Sequence, residues 1–252
     1  MNVRDFYNGM CKIIPGSLSC EWDNDGLSCC PDPEREVGKV LISLDPTLDA
    51  IKYAGDNGFD VLLTHHPILF HPLSAANDDT VEGKRIVSLF HYGVSAMAFH
   101  TRFDALTGGV NDTLAELLGL KNIRPFGADA IGRIGELEKE LSLEEFAAAV
   151  KQKLNAPAVI FAGKETVKHV ALLGGAGADD AEDAFEAGAD TYVTGELKYH
   201  QLSEAPERGK NYIMAGHFFT ENPSLEKLSE FVLSLDPKIK VEFYFSSTVK
   251  AI

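Results

Sequence analysis

Two adjacent histidines at the end of an apolar run are the residues of this sequence with the clearest capacity for chemistry. The run Val61-Leu62-Leu63-Thr64 has the composition of a buried strand and leads directly into His65 and His66. Pro67 follows and disfavours a helical conformation for His66. Because successive side chains of an extended chain point to opposite sides, the two imidazoles should diverge and could supply ligands to two metal ions.

Histidines and acidic residues also follow the ends of other predicted strands. Five of the eight histidines lie at or just after such ends: His65, His66, His100, His200 and His217. Acidic residues accompany them at short spacing: Asp104, Glu196 and Glu221. Ligands of open α/β sheets bind beyond the carboxyl ends of the strands, so we expect these side chains to converge. Imidazole and carboxylate donors suit Zn²⁺, Mn²⁺, Fe²⁺ or Ni²⁺, and two such ions about 3.5–4 Å apart form the usual layout of metal-assisted hydrolysis.

The elements that must position these residues are strands alternating with helices, which predicts an α/β fold with mixed, mainly parallel sheets. The predicted strands are Val40–Leu44, Val61–Thr64, Val94–Phe99, Val170–Leu173, Thr191–Thr194, Tyr212–Ala215 and Val241–Phe245, with an edge strand near Ile131–Leu137. The predicted helices are Val3–Ile14, Pro46–Asn57, Gly83–His91, Val110–Leu118, Leu143–Leu154, Ala178–Ala187, Leu197–Glu207 and Ser224–Leu235. The segment Glu21–Leu27 has the composition of a turn-rich loop.

The sequence contains a repeat on the scale of a domain. Residues Gly58–Thr64 match Gly188–Thr194 position for position, and the strands before them keep the same offset. The strand after each copy ends in a histidine that an acidic residue follows four positions later. The repeat predicts two α/β lobes, residues 1–125 and 126–252, related by a pseudo-two-fold axis with a site between them. In this comparison His100 corresponds to His217, and His66 corresponds to Glu196.

Charge and composition exclude several classes of function. The chain has 38 acidic and 23 basic residues, a formal charge of −15 that repels the phosphates of nucleic acids and acidic membranes. Neither an apolar stretch of membrane-spanning length nor a signal peptide is visible, so we expect a cytoplasmic protein. The four cysteines lie within the first 30 residues without metal-site spacing, which favours reduced structural thiols over a metal or redox role.

Ordered motifs covering nearly the whole chain carry a resemblance to a known family. They are Trp22-Asp23-Asn24 with Gly26-Leu27, Thr64-His65-His66-Pro67, His100-Thr101 with Asp104, Gly108-Gly109 with Asn111, Thr194-Gly195-Glu196 with His200, and Gly216-His217 with Glu221. The chain thereby resembles the GTP cyclohydrolase I type 2, or Nif-three-like, family. The resemblance implies duplicated, intertwined α/β lobes, a dinuclear metal centre at the lobe interface and a ring-shaped homohexamer. It also implies a ligand set, which is His65, His66, Asp104, His217 and Glu221.

Two residues beside those ligands are candidates for catalysis. The resemblance leaves His100 outside the ligand set, so His100 can serve as general acid and base, or it can orient a carboxylate or water. Glu196 can be an outer-shell acceptor or a base, although the N-terminus of a helix also favours Glu for structural reasons.

Two segments depart from the family pattern. Asp25 and Cys29-Cys30 replace small or apolar residues, and Arg102-Phe103 stands where a shorter polar and apolar pair is usual. Arg102 could reach a substrate phosphate and Phe103 could stack on a base, but an exposed arginine and a core phenylalanine are the favoured interpretation.

These observations support two hypotheses of function. The first is a metal-dependent hydrolase that holds two divalent ions and acts on a nucleotide-like or phosphorylated small molecule. The second is a non-catalytic interaction, regulatory or metal-handling protein that assembles into a ring. Removal of the metal separates them, because an enzyme keeps its fold and loses turnover, whereas loss of a structural ion unfolds the protein.

Overall fold

The computed structural model describes residues 1–164, 166–245, 247 and 249. The helices in this part of the chain are α1 Val3–Ile13, α2 Leu48–Asp56, α3 Val81–Tyr92, α4 Thr101–Ala105, α5 Val110–Leu118, α6 Leu143–Lys153, α7 Ala181–Glu186, α8 Tyr199–Arg208, α9 His217–Glu221 and α10 Leu225–Leu235. The strands are β1 Gly26–Cys29, β2 Lys39–Ser43, β3 Val61–Thr64, β4 Ser95–Ala98, β5 Lys121–Phe126, β6 Gly132–Leu141, β7 Ile160–Ala162, β8 Val167–Leu173, β9 Thr191–Thr194, β10 Asn211–Met214 and β11 Lys240–Tyr244. None of the described helices is long and apolar enough to cross a bilayer.

The chain forms two compact units, each built around one mixed sheet, which confirms the predicted α/β class. The first unit contains Met1–Phe103 together with α10 and β11, and the second contains Asp104–Ser224. The chain therefore returns to the first unit after completing the second. The division at residue 125, which was drawn from the repeat, stays a prediction.

The sheet of the first unit has the strand order β1-β4-β3-β2-β11. All its neighbouring strands are parallel except β1, which pairs antiparallel with β4. Helices α2 and α3 pack against this sheet through a buried apolar cluster that includes Ile51, Leu62 and Leu89. All four residues of β3 are buried, as expected for a central strand of a parallel sheet covered on both faces.

The sheet of the second unit has the order β5-β6-β8-β9-β10-β7, with β8, β9 and β10 parallel and the other pairs antiparallel. Helix α6 begins at a capping box, in which Ser142 and Glu145 exchange side-chain-to-backbone hydrogen bonds. Its buried face joins a core that includes Phe146, Val150 and Leu172.

The predicted central strands and helices are confirmed within three residues at each end, when the 3-10 turn Gly177–Asp180 is counted with α7. One prediction at the sheet margins is wrong, because the strand expected near Ile131–Leu137 is β6, which lies between β5 and β8 and is not an edge strand. The expected loop Glu21–Leu27 is confirmed for residues 21–25, but Gly26 and Leu27 belong to β1, which pairs with β4. Strand β5 was not predicted, because its sequence, Lys-Asn-Ile-Arg-Pro-Phe, does not alternate between apolar and polar residues and its side chains are mostly exposed.

The repeat is visible in the hydrogen bonds of both units. The Asp60 carboxylate accepts bonds from the backbone N–H groups of Gly38 and Lys39, at 2.8 and 2.9 Å. The Asp190 carboxylate does the same for Lys168 and His169, at 3.0 and 2.7 Å. Each aspartate therefore ties the start of its own strand to the start of the preceding parallel strand.

Replacing either aspartate with alanine is expected to lower the free energy of unfolding of its unit by about 2 kcal/mol, because two strand-initiating N–H groups lose a charged acceptor. Urea unfolding of Asp60→Ala and Asp190→Ala, followed by circular dichroism, measures this. Asp56→Ala is the matched control, since Asp56 makes an exposed pair with Lys52 and should change stability by less than about 0.5 kcal/mol. Equal stability of all three variants would contradict the structural role of the repeat.

Candidate metal centre

Three histidines of the first unit lie together at the carboxyl ends of its parallel strands. His65 and His66 follow β3, and His100 follows β4. Their ring nitrogens lie within 4.8 Å of one another, close enough to bind one metal ion. The His65 side chain is completely buried, whereas His66 and His100 are partly exposed. The predicted convergence of strand-end histidines is thus confirmed within this unit.

The Nδ1 atom of each of these imidazoles has an acceptor within hydrogen-bonding distance. His65 Nδ1 lies 3.0 Å from the carbonyl oxygen of Phe99. His66 Nδ1 lies 2.8 Å from the Asp45 carboxylate, and His100 Nδ1 lies 3.0 Å from the Asp23 carboxylate. An acceptor at Nδ1 favours the tautomer with its proton there, which leaves the lone pair on Nε2, as in metal-binding histidines.

The carboxylate of Asp23 holds the turn after β4 in place. Besides the His100 ring, it accepts bonds from the backbone N–H and the hydroxyl of Thr101, at 3.0 and 2.6 Å. Burial raises the pKa of Asp23, but the bonds from His100 and Thr101 outweigh burial, so the pKa lies well below the usual range for aspartate. Asp23 is therefore negatively charged at neutral pH, and it can stabilise a proton taken up by His100.

A second group of possible ligands lies in the second unit, where α9 follows β10. His217 and Glu221 are separated by one turn of α9, with His217 Nε2 at 3.1 Å from Glu221 Oε2. His217 Nδ1 lies 2.6 Å from Glu196 Oε1. The Glu221 side chain is 5% exposed, and His217 is 33% exposed. Here too, a carboxylate at Nδ1 favours the tautomer that leaves the lone pair on Nε2, the nitrogen that faces Glu221.

Two glycines of the second unit make room for this group. A Cβ on Gly175 would lie 2.1 Å from Glu221 Oε1 and 3.0 Å from His217 Nε2, and the φ of this glycine is +67°. A Cβ on Gly195 would lie 2.7 Å from the Cα of His217. In the repeat, these glycines correspond to Asp45 and His65 of the first unit. The two units therefore differ because the second has glycines where the first has functional side chains.

Three further candidate residues from the sequence are Glu196, His200 and Asp104. Glu196 lies before α8, whose N-cap is Lys198, so its interaction with His217 explains its position better than the helix N-terminus does. His200 is an exposed residue of α8. Asp104 is a partly buried residue of α4. Its assignment as a ligand, like the roles of His100 and Glu196 in catalysis, stays a prediction.

Arg102 has a structural partner that the sequence did not identify. Its guanidinium forms a two-point ion pair with Asp25, at 2.7 Å from Nε and 2.6 Å from Nη2. Both side chains are about 95% buried, so the expectation of an exposed arginine is wrong. Phe103 is fully buried, which confirms the interpretation as a core residue. The two departures from the family pattern, Asp25 and Arg102, are therefore bound to each other.

No cysteine belongs to the groups of possible metal ligands among the described residues. Cys29 is part of the apolar core of the first unit. Burial, followed by the neighbouring Cys30, raises the pKa of Cys29 to about 12, which suppresses the reactive thiolate. Cys29 has the properties of a structural thiol, as the sequence predicted.

The fold and these groups define an α/β protein with histidine and carboxylate side chains placed to hold a metal ion. Residues 1–251 match the family model described as Duf34/NIF3 (NGG1p interacting factor 3). A Clostridium perfringens protein named "GTP cyclohydrolase 1 type 2 homolog" is 38% identical, with 99% of this chain and 98% of the relative covered. A Methanocaldococcus jannaschii protein of the same name is 34% identical, over 93% and 96%.

Solved structures show the same fold. A hypothetical protein from Staphylococcus aureus has a TM-score of 0.89 at 27% identity and is covered over 99% of its chain, with all of this chain aligned. Reduced HcgD from Methanocaldococcus jannaschii has a TM-score of 0.85 at 31% identity, over 96% of this chain and 97% of that one. The chain belongs to the DUF34/NIF3 family.

Proposed function

We propose that this protein is a hydrolase that depends on two divalent metal ions and acts on a nucleotide-like or phosphorylated small molecule. The observation that carries the proposal is the shared chemistry of four histidines at strand ends. Each has an acceptor at Nδ1: a carbonyl for His65, and a carboxylate for His66, His100 and His217. Purely structural surface histidines do not need this arrangement, whereas metal ligands and proton-transferring histidines do.

The donor set fits the proposed ions. Imidazole nitrogens combined with carboxylates suit Zn²⁺, Mn²⁺, Fe²⁺ or Ni²⁺ better than Mg²⁺ or Ca²⁺, which prefer oxygen ligands. We assign His65, His66, Asp104, His217 and Glu221 as the ligands, following the family resemblance. When bound, the ions supply Lewis acidity to a substrate oxygen and to water.

The residues of the chain then have distinct roles. Asp45 and Glu196 hold the rings of His66 and His217 in the orientation in which Nε2 is the donor atom. His100 Nε2 accepts a proton from the attacking water and returns it to the leaving group. The negative charge of Asp23 at His100 Nδ1 stabilises the imidazolium between these two steps. Glu196 is a positioning residue in this scheme.

The name of the relatives and the description of the family each favour a different function. "GTP cyclohydrolase 1 type 2 homolog" favours a nucleotide-like substrate, and the family description "NGG1p interacting factor 3" favours an interaction role without turnover. We propose a homo-oligomeric ring, a hexamer by the family resemblance, under either alternative.

Metal removal is the experiment that tests the proposal. The protein is purified without added metal, its ions are identified by elemental analysis, and nucleotides and phosphoesters are screened for hydrolysis. Chelation is expected to abolish turnover while the circular dichroism spectrum is retained, and return of the identified ion is expected to restore turnover. Unfolding on chelation would show a structural ion. A metal-loaded protein that hydrolyses none of the compounds would favour the interaction role.

A further inference from the structure

Two exposed aromatic side chains contact the imidazole of His100. Trp22 is 64% exposed and Phe70 is 47% exposed. The Trp22 ring lies 6.1 Å from the His100 ring at 77°, and the Phe70 ring lies 5.6 Å from it at 86°. Both aromatic rings are therefore nearly perpendicular to the plane of one imidazole. Single exposed aromatic residues are common, but two that converge on one candidate catalytic histidine form a shared apolar surface at that histidine.

Hydrogen bonds join the segment that carries Trp22 to the turn at His100 and to the segment that carries Phe70. Asp23, next to Trp22, binds the His100 ring and the turn that follows it. Asn24 Nδ2 donates to the carbonyl oxygen of Leu69 at 2.7 Å, and Leu69 precedes Phe70. The segment that carries Trp22 is thereby bonded both to the His100 turn and to the segment that carries Phe70. A ligand ring that enters here meets a surface arranged in advance, which lowers the entropic cost of binding.

We propose that Trp22 and Phe70 form a stacking subsite for the planar ring of a free nucleotide, beside His100. The proposal rests on the proposed function, since it assigns the substrate ring of that same site. Aromatic side chains stack on any nucleobase because every base has a π face. The net charge of −15 opposes a polyanion such as RNA or DNA far more than a single nucleotide, which favours a free nucleotide over a nucleic acid as the occupant.

Fluorescence tests this subsite directly, because Trp22 is the single tryptophan of the chain. The protein, loaded with its metal, is titrated separately with the 5′-monophosphates of adenosine, guanosine, cytidine and uridine. Ribose 5-phosphate is the control, since it has the sugar and the phosphate but no ring. We expect saturable quenching of Trp22 emission by at least one nucleotide and none by ribose 5-phosphate. Absence of quenching by all four, or equal quenching by ribose 5-phosphate, overturns the proposal.

A pair of variants shows whether the contact is specific to this surface. Phe70→Leu keeps an apolar side chain but removes the π face, so the nucleotide affinity should fall by at least about fivefold. Phe90→Leu is the matched control, because Phe90 is 57% exposed on α3 and should leave the affinity unchanged. Equal nucleotide affinities of the two variants overturn the proposal. A changed oligomeric mass of Phe70→Leu with an unchanged nucleotide affinity also overturns it, because that result identifies Phe70 as a contact between copies of the chain.

The quenching measurement does not depend on turnover, so the two proposals can fail separately. Quenching by a nucleotide without hydrolysis of any compound would support the subsite and contradict the hydrolase. Hydrolysis of a nucleotide without any quenching would support the hydrolase and contradict the subsite.

Discussion

His217→Ala protein is expected to bind its divalent metal more than about 100-fold more weakly than the unmodified protein. Loss of a partner that merely orients a ligand already lowers metal affinity by about 10–100-fold, and loss of the ligand itself should cost more. The His217 side chain is 33% exposed at the start of a short helix, so its truncation leaves no large cavity in a core. Elemental analysis after dialysis, combined with a competitive chelator titration, measures the change. His65→Ala should have a similar effect on metal binding.

Two control variants show whether the loss of metal from His217→Ala results from the loss of a ligand. His91→Ala removes an exposed histidine of α3 and should leave metal content unchanged. His100→Ala should also retain metal while turnover falls, since we assign this residue to proton transfer. Full metal content in His217→Ala would overturn the ligand assignment. Loss of metal from His100→Ala would place His100 among the ligands, which its distance to His65 and His66 permits.

The positions of the histidines could be predicted because they depend on local pattern. Four buried residues followed by a turn define β3, and the carboxyl end of a central parallel strand is where His65 and His66 lie. His217 and Glu221 could be paired because the repeat places an acidic residue four positions after each strand-end histidine, although α9, which puts them one turn apart, was not predicted. Patterns of this kind involve residues that are close in sequence, so they can be recognised in a single sequence.

The contacts of Asp45 with His66 and of Asp23 with His100 could not be predicted, because they depend on which strands become neighbours. Asp45 reaches His66 because β2 pairs with β3 in the register Ser43 to Thr64, which brings both strand ends together. Asp23 reaches His100 across 77 positions of sequence. Both aspartates lie at or near strand ends or turns. This position could be recognised in the sequence, but acidic residues of solvent-exposed loops show the same pattern.

Asp25→Asn is expected to lower the free energy of unfolding of the first unit by about 3–5 kcal/mol. The substitution is nearly isosteric and keeps an oxygen that can accept from the His100 backbone N–H, but it leaves the buried charge of Arg102 without its counter-ion. Arg102 remains charged in this variant, because an arginine guanidinium is not deprotonated in proteins. In the unmodified protein, burial lowers the pKa of Arg102, but the hydrogen bonds and the charge of Asp25 outweigh burial and raise it. Urea unfolding followed by Trp22 fluorescence measures the stability of this unit.

A double-mutant cycle separates the ion pair from the other contacts of the two side chains. Arg102→Met alone leaves the carboxylate of Asp25 buried, whereas Arg102→Met combined with Asp25→Asn removes both charges. The double variant should therefore be more stable than the sum of the single effects by about 2–3 kcal/mol. Strictly additive effects would show that the two residues are independent. A coupling of the expected size would mean that the loss of both side chains destabilises the first unit less than the two single losses predict.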